Sequence, residues 1–395
     1  MPRIHLAIDN CFAAKRWTEP SEWARIVADL GVRLVEASAD TENDPLYHGR
    51  DYQARWSDRV HLACAEHDVE VANLYSGHGT YSTLGLGHTD AQAADRMVDE
   101  WLKPQIDVAA SFDAGIGFFT HAFPMAVLDD PETYARAYEA LVGRLAAVTR
   151  YAGETLSKPA GVEQMYSPHQ IPFTRDGARQ LLADVADRAG SSLYLTLDVG
   201  HQSGQARFRA PERETLDTAV DAYRRGDWSR LPWLGAAGAN TIARRAARDE
   251  LSTEDAWSEL SAYAEARPYL YANESDGDPY GWLAELGRSS PIVHLQQTDG
   301  TSSHHLPFTA TTNQTGIVDP PAVLRALAEG FRNVHDAVTP AVEDIYLTLE
   351  IFVGTAANPF AAVEEIAESV AYWRRWIPDD GLALEDLVRR TEEKV

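Results

Sequence analysis

The sequence predicts an α/β protein folded as a (β/α)8 barrel, the TIM-barrel architecture. Short aliphatic and β-branched runs alternate with longer amphipathic stretches from one end of the chain to the other. The short runs number eight, and only one connection between them is much longer than a crossover helix. That alternation is the βαβα pattern of a parallel sheet, and eight such units close most economically as a barrel.

Taken in order, the strand candidates are residues 4–9, 34–38, 69–75, 115–121, 161–165, 193–198, 292–297 and 346–351. Helical patterns fall at 21–30, 52–66, 91–110, 132–153, 175–189, 321–334 and 361–376. Gly31, Gly190 and Gly330 each follow a helical pattern, where a residue that tolerates positive φ terminates a helix. The long connection, 203–290, contains helical stretches at 214–224 and 253–267 and the aromatics Trp228, Trp233, Tyr269, Tyr271, Tyr280 and Trp282. It reads as a helical insertion over the barrel mouth; the alternative is an elaborated outer helix without a part in binding. The acidic stretch 379–395 reads as a solvated helix. With no internal repeat, residues 1–395 are expected to form a single barrel domain.

Composition removes several function classes. Acidic residues outnumber basic ones 60 to 35, a formal charge of −25 that repels a phosphate backbone and argues against nucleic acid as a partner. No apolar stretch is long enough to span a bilayer and the first residues enter a strand-like run, so the expectation is a cytoplasmic protein with no membrane partner. Cys11 and Cys64 are the only cysteines, too few for a disulfide framework or a thiolate cage. A metal here must take oxygen or imidazole ligands. Hydrophobic residues at 45% and charged residues at 24% describe an ordinary globular chain.

In such a barrel the active site lies at the C-terminal ends of the strands. Glu163 sits in the fifth apolar run, Asp198 and His201 end the sixth, His294 and Gln296 lie in the seventh, and Glu350 ends the eighth. One carboxylate in an apolar strand is usually a structural ion-pair partner; four strand ends in succession make a site. Two Glu, one Asp and a neutral Gln or His form an oxygen-rich site for a divalent cation, Mn²⁺ or Mg²⁺ in the first place, with Co²⁺ or Zn²⁺ as alternatives. A hydroxy-ketone on such a cation has an acidified C–H, and flanking carboxylates can shuttle its proton through an enediolate.

These residues resemble the sugar phosphate isomerase/epimerase superfamily, the xylose-isomerase-like barrels that include ketose 3-epimerases, hydroxypyruvate isomerase and inosose dehydratase. The resemblance covers the chain outside the insertion and implies that Glu163, Asp198, Gln296 and Glu350 hold the metal. It also implies that Glu163 and Glu350 are the catalytic acid/base pair, and that His201, in the Asp-x-x-His signature from Asp198, binds substrate oxygen. In that family an acid follows the seventh-strand ligand by three residues, so the resemblance, through Asp299, implies Gln296 over His294, which remains the alternative ligand on the same strand face.

Substrate recognition departs from the free-ketose epimerases. His169 stands where they carry a second Glu, and Ser302-Ser303-His304-His305 stands where they carry an Arg. Lys15 and Arg16 put two cations in the loop after the first strand, and His169, His304 and His305 add donors, a set suited to phosphate; alternatively Lys15 and Arg16 begin a solvated helix. Tyr75, His78 and His121 end the third and fourth strands and are candidates to line the pocket. The runs from Ile4 to Phe12 and from Glu163 to Pro172 resemble a bacterial branch associated with erythrulose phosphates. The expected activity is a metal-dependent epimerase or isomerase of a small sugar or sugar phosphate, narrowest a tetrulose phosphate 3-epimerase. A dehydratase or lyase using the same first proton abstraction is the alternative. A DNA-repair endonuclease of similar fold is opposed by the charge. A homo-oligomer is left open.

Overall fold

Near-continuous apolar runs bury both faces of eight short strands, and the amphipathic stretches between them supply the outer layer. The computed structural model describes residues 1–77, 83–229, 231–333, 338–354 and 356–393. The strands are β1 (Arg3–Asp9), β2 (Leu34–Ser38), β3 (Glu70–Ser76), β4 (Gly115–Phe118), β5 (Ala160–Glu163), β6 (Tyr194–Asp198), β7 (Ile292–Leu295) and β8 (Asp344–Leu349). Each pairs in parallel with its sequence neighbours, and β1 closes the ring by pairing with both β2 and β8. The expected (β/α)8 barrel is the fold.

The strand starts agree with the sequence pattern to within two residues, but several ends were drawn too long. After β5 and β7 the chain stays extended while its hydrogen bonds turn to loops: Met165 N donates to Pro172 O and Gln297 N to Leu306 O. This departure from the ladder delivers the polar side chains to the barrel mouth.

Of the expected helix terminators, Gly31 and Gly190 have φ of 75° and 71° and end their helices as predicted. Gly330 does not. It lies inside the helix Pro320–Arg332, buried, and a Cβ there would come within 2.9 Å of the carbonyl oxygens of Leu283 and Ala284. Its lack of a side chain lets that helix approach the helix Pro279–Leu286 closely. The expected single helix 91–110 contains a π-helical turn, Met97–Leu102, just before Pro104. Pro104 has no N–H for the usual helical bond, and the wider turn, in which Lys103 N donates to Val98 O, takes up the break.

The long β6–β7 connection is helical, as expected. Helices Arg213–Arg224, Ala237–Ala247 and Thr253–Glu265 pack on one another, while Pro279–Leu286 joins the outer layer of the barrel. The neck of the excursion is pinned by a backbone bridge between Arg209 and Ala272. Close to that neck, Tyr269 holds the returning chain to the barrel: its ring stacks on Tyr134 at 3.6 Å and its hydroxyl donates to Leu128 O.

The expectation of a solvated C-terminal helix is corrected. Leu382–Ala383 form a ninth strand antiparallel to β1, and the helix Leu384–Glu392 buries Leu384, Leu387, Val388 and Thr391. Apolar residues at one helical face, spaced three or four apart, require a packing partner, here the helix Pro320–Arg332.

Candidate active site

The C-terminal ends of the strands converge on a buried cluster of ionisable groups. Asp9 ends β1, Glu36 lies in β2, Glu163 ends β5, Asp198 ends β6, His294 lies in β7, and Glu350 follows β8; all are buried. Parallel pairing places Asp9 beside Glu36 and Asp198 beside His294. Above them a cavity of about 450 Å³ opens between Tyr75, Phe119, Glu163, Tyr166, His201, Arg207, Ser302, Ser303, His305, Glu350 and Phe352.

His294 is the hub. Its Nε2 lies 2.7 Å from Glu36 Oε1, and its Nδ1 lies 3.3 Å from both Glu163 Oε1 and Glu350 Oε2. Burial alone would favour the neutral ring, but Glu350 and Glu36 outweigh it and raise the imidazole pKa well above the ordinary histidine value. Burial likewise pushes Glu350 up, yet His294 and His305 together pull its carboxyl well below the usual carboxylate range. Asp9, Glu36 and Asp198 are raised, first by desolvation; neighbouring carboxylates push the same way. So many acids crowded into a dry floor call for a cation.

The residues fit one. Ligand atoms of Glu163, Asp198, His294 and Glu350 all lie within 4.8 Å of one another. Asp198 Oδ1 is used internally, accepting from Gly200 N, His201 N and Gln296 Nε2. That leaves Asp198 Oδ2 and Gln296 Oε1 buried without a hydrogen-bond partner among the described residues. Buried carboxylate and amide oxygens of this kind suit a hard divalent cation. Both seventh-strand candidates are therefore at the cluster, His294 within the strand and Gln296 just beyond it, because residues two apart on a strand share a face.

His201 is also well defined. Its Nδ1 lies 2.7 Å from Gln164 O, and because a carbonyl only accepts, Nδ1 carries the proton. Nε2 lies 3.7 Å from Asp198 Oδ2. Tyr75, at the end of β3, donates its hydroxyl to Glu163 Oε2. Gly117 and Gly161 make room for this, since a Cβ on Gly117 would lie 3.0 Å from the Tyr75 ring and from Thr196 Oγ1, and one on Gly161 2.9 Å from Thr196 Oγ1.

The remaining sequence candidates are more dispersed. His121 is buried with φ of 49° and its Nε2 lies 2.9 Å from Gly77 O, its ring packed on Phe119. His169 Nδ1 contacts Phe123 O at 2.8 Å, and His304 is exposed with Nε2 at 2.7 Å from Ser302 Oγ. Arg16 donates to the carbonyls of Gly354 and Ala357, and Lys15 is exposed with φ of 65°. None of these five is in the cavity wall. His78 lies outside the described residues. Sequence reasoning passed over Glu36, a lone acid in an apolar run, and gave His305 only a general role as a donor. His305 Nδ1 is 3.2 Å from Glu350 Oε2, its ring stacks on Phe352, and its pKa, lowered by burial but raised more by Glu350, reaches about 9. Arg207, in the wall, was not singled out either; its place in the insertion gave no signal.

A family model described as a xylose isomerase-like TIM barrel matches residues 24–243. The D-erythrulose 1-phosphate 3-epimerase of Brucella abortus (strain 2308) is 36% identical over 103 residues, a stretch that spans 26% of this chain and only 30% of that enzyme. A candidate xylose isomerase from Rhodospirillum rubrum superposes with a TM-score of 0.63 at 18% identity, covering 94% of this chain and 99% of that one. An L-ribulose 3-epimerase structure gives a TM-score of 0.54 at 15% identity, covering 100% and 98%. At such identities the two structural likenesses speak for the fold. No helix among the described residues is long and apolar enough to cross a membrane.

Proposed function

The chain belongs to the xylose isomerase-like TIM-barrel family, and on that premise we propose that it is a divalent-metal-dependent epimerase or isomerase of a small ketose or ketose phosphate. The observation that carries the reading is the pair of carboxylates at one nitrogen: Glu163 Oε1 and Glu350 Oε2 each lie 3.3 Å from His294 Nδ1, and both line the same cavity. Two carboxylates beside one substrate carbon are what reversible proton transfer requires.

Glu163, Asp198 and Glu350 would hold the cation, with Gln296 or His294 completing the set; Mn²⁺ or Mg²⁺ suits so many oxygens. When bound, the cation polarises the substrate carbonyl and acidifies the neighbouring C–H. Glu350, held ionised by His294 and His305, can accept a proton. Tyr75 fixes one oxygen of Glu163 and leaves the other toward the cavity. One carboxylate takes the proton to give an enediolate; the other returns a proton to the opposite face, which is epimerisation, or to the adjacent carbon, which is isomerisation. His201, in the cavity lining, hydrogen-bonds a substrate oxygen through Nε2. The short match to the Brucella enzyme supports a tetrulose phosphate as the narrowest choice of substrate, acted on at C3.

The test is a panel of free and phosphorylated ketoses with Mn²⁺ in deuterated water, followed by NMR. Deuterium entering the carbon next to the carbonyl, with an epimer or aldose as product, is the expected result. Loss of water from the substrate would replace this reading with a dehydratase, and no exchange with any ketose would remove it.

A further inference from the structure

The cavity has two chemically opposite ends. Its floor is carboxylate-rich, formed by Glu163 and Glu350 with Asp198 beneath. Its wall carries Arg207, the one lysine or arginine among the described residues that line it. No ion pair or hydrogen bond engages the Arg207 side chain among the described residues, although the chain carries a formal charge of −25 and Arg175, Arg179 and Arg213 each pair with acids. Ser302 and Ser303, from the loop after β7, line the same cavity.

Arg207 is exposed, but its backbone is tied to the site. Its N–H donates to Gly204 O at 3.1 Å, and Gly204 N donates to His201 O at 2.9 Å, so its backbone is built on the active-site histidine. Gly204 packs against Tyr166 so closely that a Cβ would lie 2.7 Å from the Tyr166 Cβ, and Gln205 Nε2 donates to Met165 O at 2.8 Å. On the other side Ala272 N donates to Phe208 O at 2.7 Å. The first turn of the long insertion thus fixes the backbone of Arg207 relative to the strand that supplies Asp198, and the residue lines the cavity.

We propose that Arg207, with the hydroxyls of Ser302 and Ser303, binds the phosphoryl group of a phosphorylated substrate, and that this site sets a preference for sugar phosphates over free sugars. The assignment rests on the epimerase/isomerase reading for the reacting end of the substrate. An anion is repelled from the acidic floor and attracted to the wall, so a ketose phosphate enters in one orientation, carbonyl inward. A planar guanidinium plus two hydroxyls matches a group with several terminal oxygens, and a cavity of about 450 Å³ admits a small sugar phosphate. Lys15 and Arg16, the first-loop candidates, do not line this cavity, so their variants separate the two placements of the anion.

The test uses inorganic phosphate as the probe, titrated by calorimetry into the full-length protein with Mn²⁺ present and again after chelation, so that binding to the metal is separated from binding at the wall. Arg207→Ala is expected to weaken the metal-independent binding about tenfold or more, the loss of a charge-assisted contact, with Arg207→Lys in between. In kinetics, the ratio of kcat/KM for D-erythrulose 1-phosphate over erythrulose should fall about tenfold or more in Arg207→Ala. Unchanged phosphate binding in Arg207→Ala, an equal fall for both ketoses, or loss of binding in Lys15→Ala or Arg16→Ala instead would overturn the assignment. If no ketose of either kind reacts with the unmodified protein, the epimerase reading fails while the titration still decides the phosphate site.

Discussion

Glu36 of β2 and His294 of β7 meet at 2.7 Å with both side chains fully buried. The contact fixes which nitrogen of the ring faces the carboxylates of Glu163 and Glu350. Glu36→Ala would leave a buried imidazolium without its closest partner, and breaking one side of such a pair costs about 3–5 kcal/mol. Glu36→Gln keeps an acceptor and should cost less than half as much. Urea unfolding of the three proteins measures both values; equal stability of Glu36→Ala and the parent would show that the pair does not hold the floor together.

Metal binding is expected to depend most on Asp198, whose Oδ1 is already committed to Gly200, His201 and Gln296 while Oδ2 is the buried atom left over. Asp198→Ala is expected to reduce bound divalent metal, about one ion per chain in the parent, by tenfold or more, since it removes a ligand and the anchor of Gln296. Elemental analysis after dialysis reads the outcome, and full occupancy in the variant would remove Asp198 from the ligand set.

The proposed proton transfer by two carboxylates makes each of them necessary. Glu163→Gln and Glu350→Gln retain size and a carbonyl oxygen but cannot accept a proton, so kcat should fall by about 10²–10⁴ in each. Substrate binding should change far less. Either variant could still exchange the substrate proton with deuterated solvent from one face while failing to complete inversion. Near-normal turnover in both would redirect the search for the base to His201 and His305.

Glu42 makes a prediction away from the site. Burial raises its pKa from the ordinary 4.5 to about 7, against the indole N–H groups of Trp56 and Trp23, which favour the ionised form from 2.8 and 3.1 Å. Between those two values the folded protein holds a proton that the unfolded chain releases, so this contribution is full below pH 4.5 and is lost as the pH rises through 7. Its size is on the order of 3 kcal/mol. Glu42→Gln should flatten the decline in stability across that interval. Thermal unfolding from pH 5 to 8 checks it, and an unchanged pH profile in the variant would assign the decline to other groups.

Gly330 bears on packing alone. A methyl group there would press on the Leu283 and Ala284 carbonyls, backbone atoms that cannot swing aside. Gly330→Ala should therefore destabilise by about 1–3 kcal/mol despite the better helix propensity of alanine. A stabilised variant in urea unfolding would show that the two helices can separate freely.

By itself the sequence determined the barrel, because eight apolar runs and the amphipathic stretches between them leave one economical way to bury both faces of every strand. Strand ends in the sequence also pointed to Glu163, Asp198 and Glu350 at the barrel mouth, and the family resemblance added Gln296, with His294 as the alternative, since a polar residue closing an apolar strand has only the mouth to face. Tertiary structure decided what periodicity does not encode. Glu36 is a lone acid in its own strand and gains meaning only from His294, 258 positions away in sequence, across the barrel. Gly330 reads as a stop in one dimension and is a close helix contact in three. The acidic C-terminal helix reads as solvated until the helix Pro320–Arg332 covers its apolar face. Arg207, in an insertion with no motif, stands at the cavity wall because backbone hydrogen bonds tie its turn to His201. Local patterns record which residues seek burial; which charge then meets which depends on barrel closure, and only the closed structure shows it.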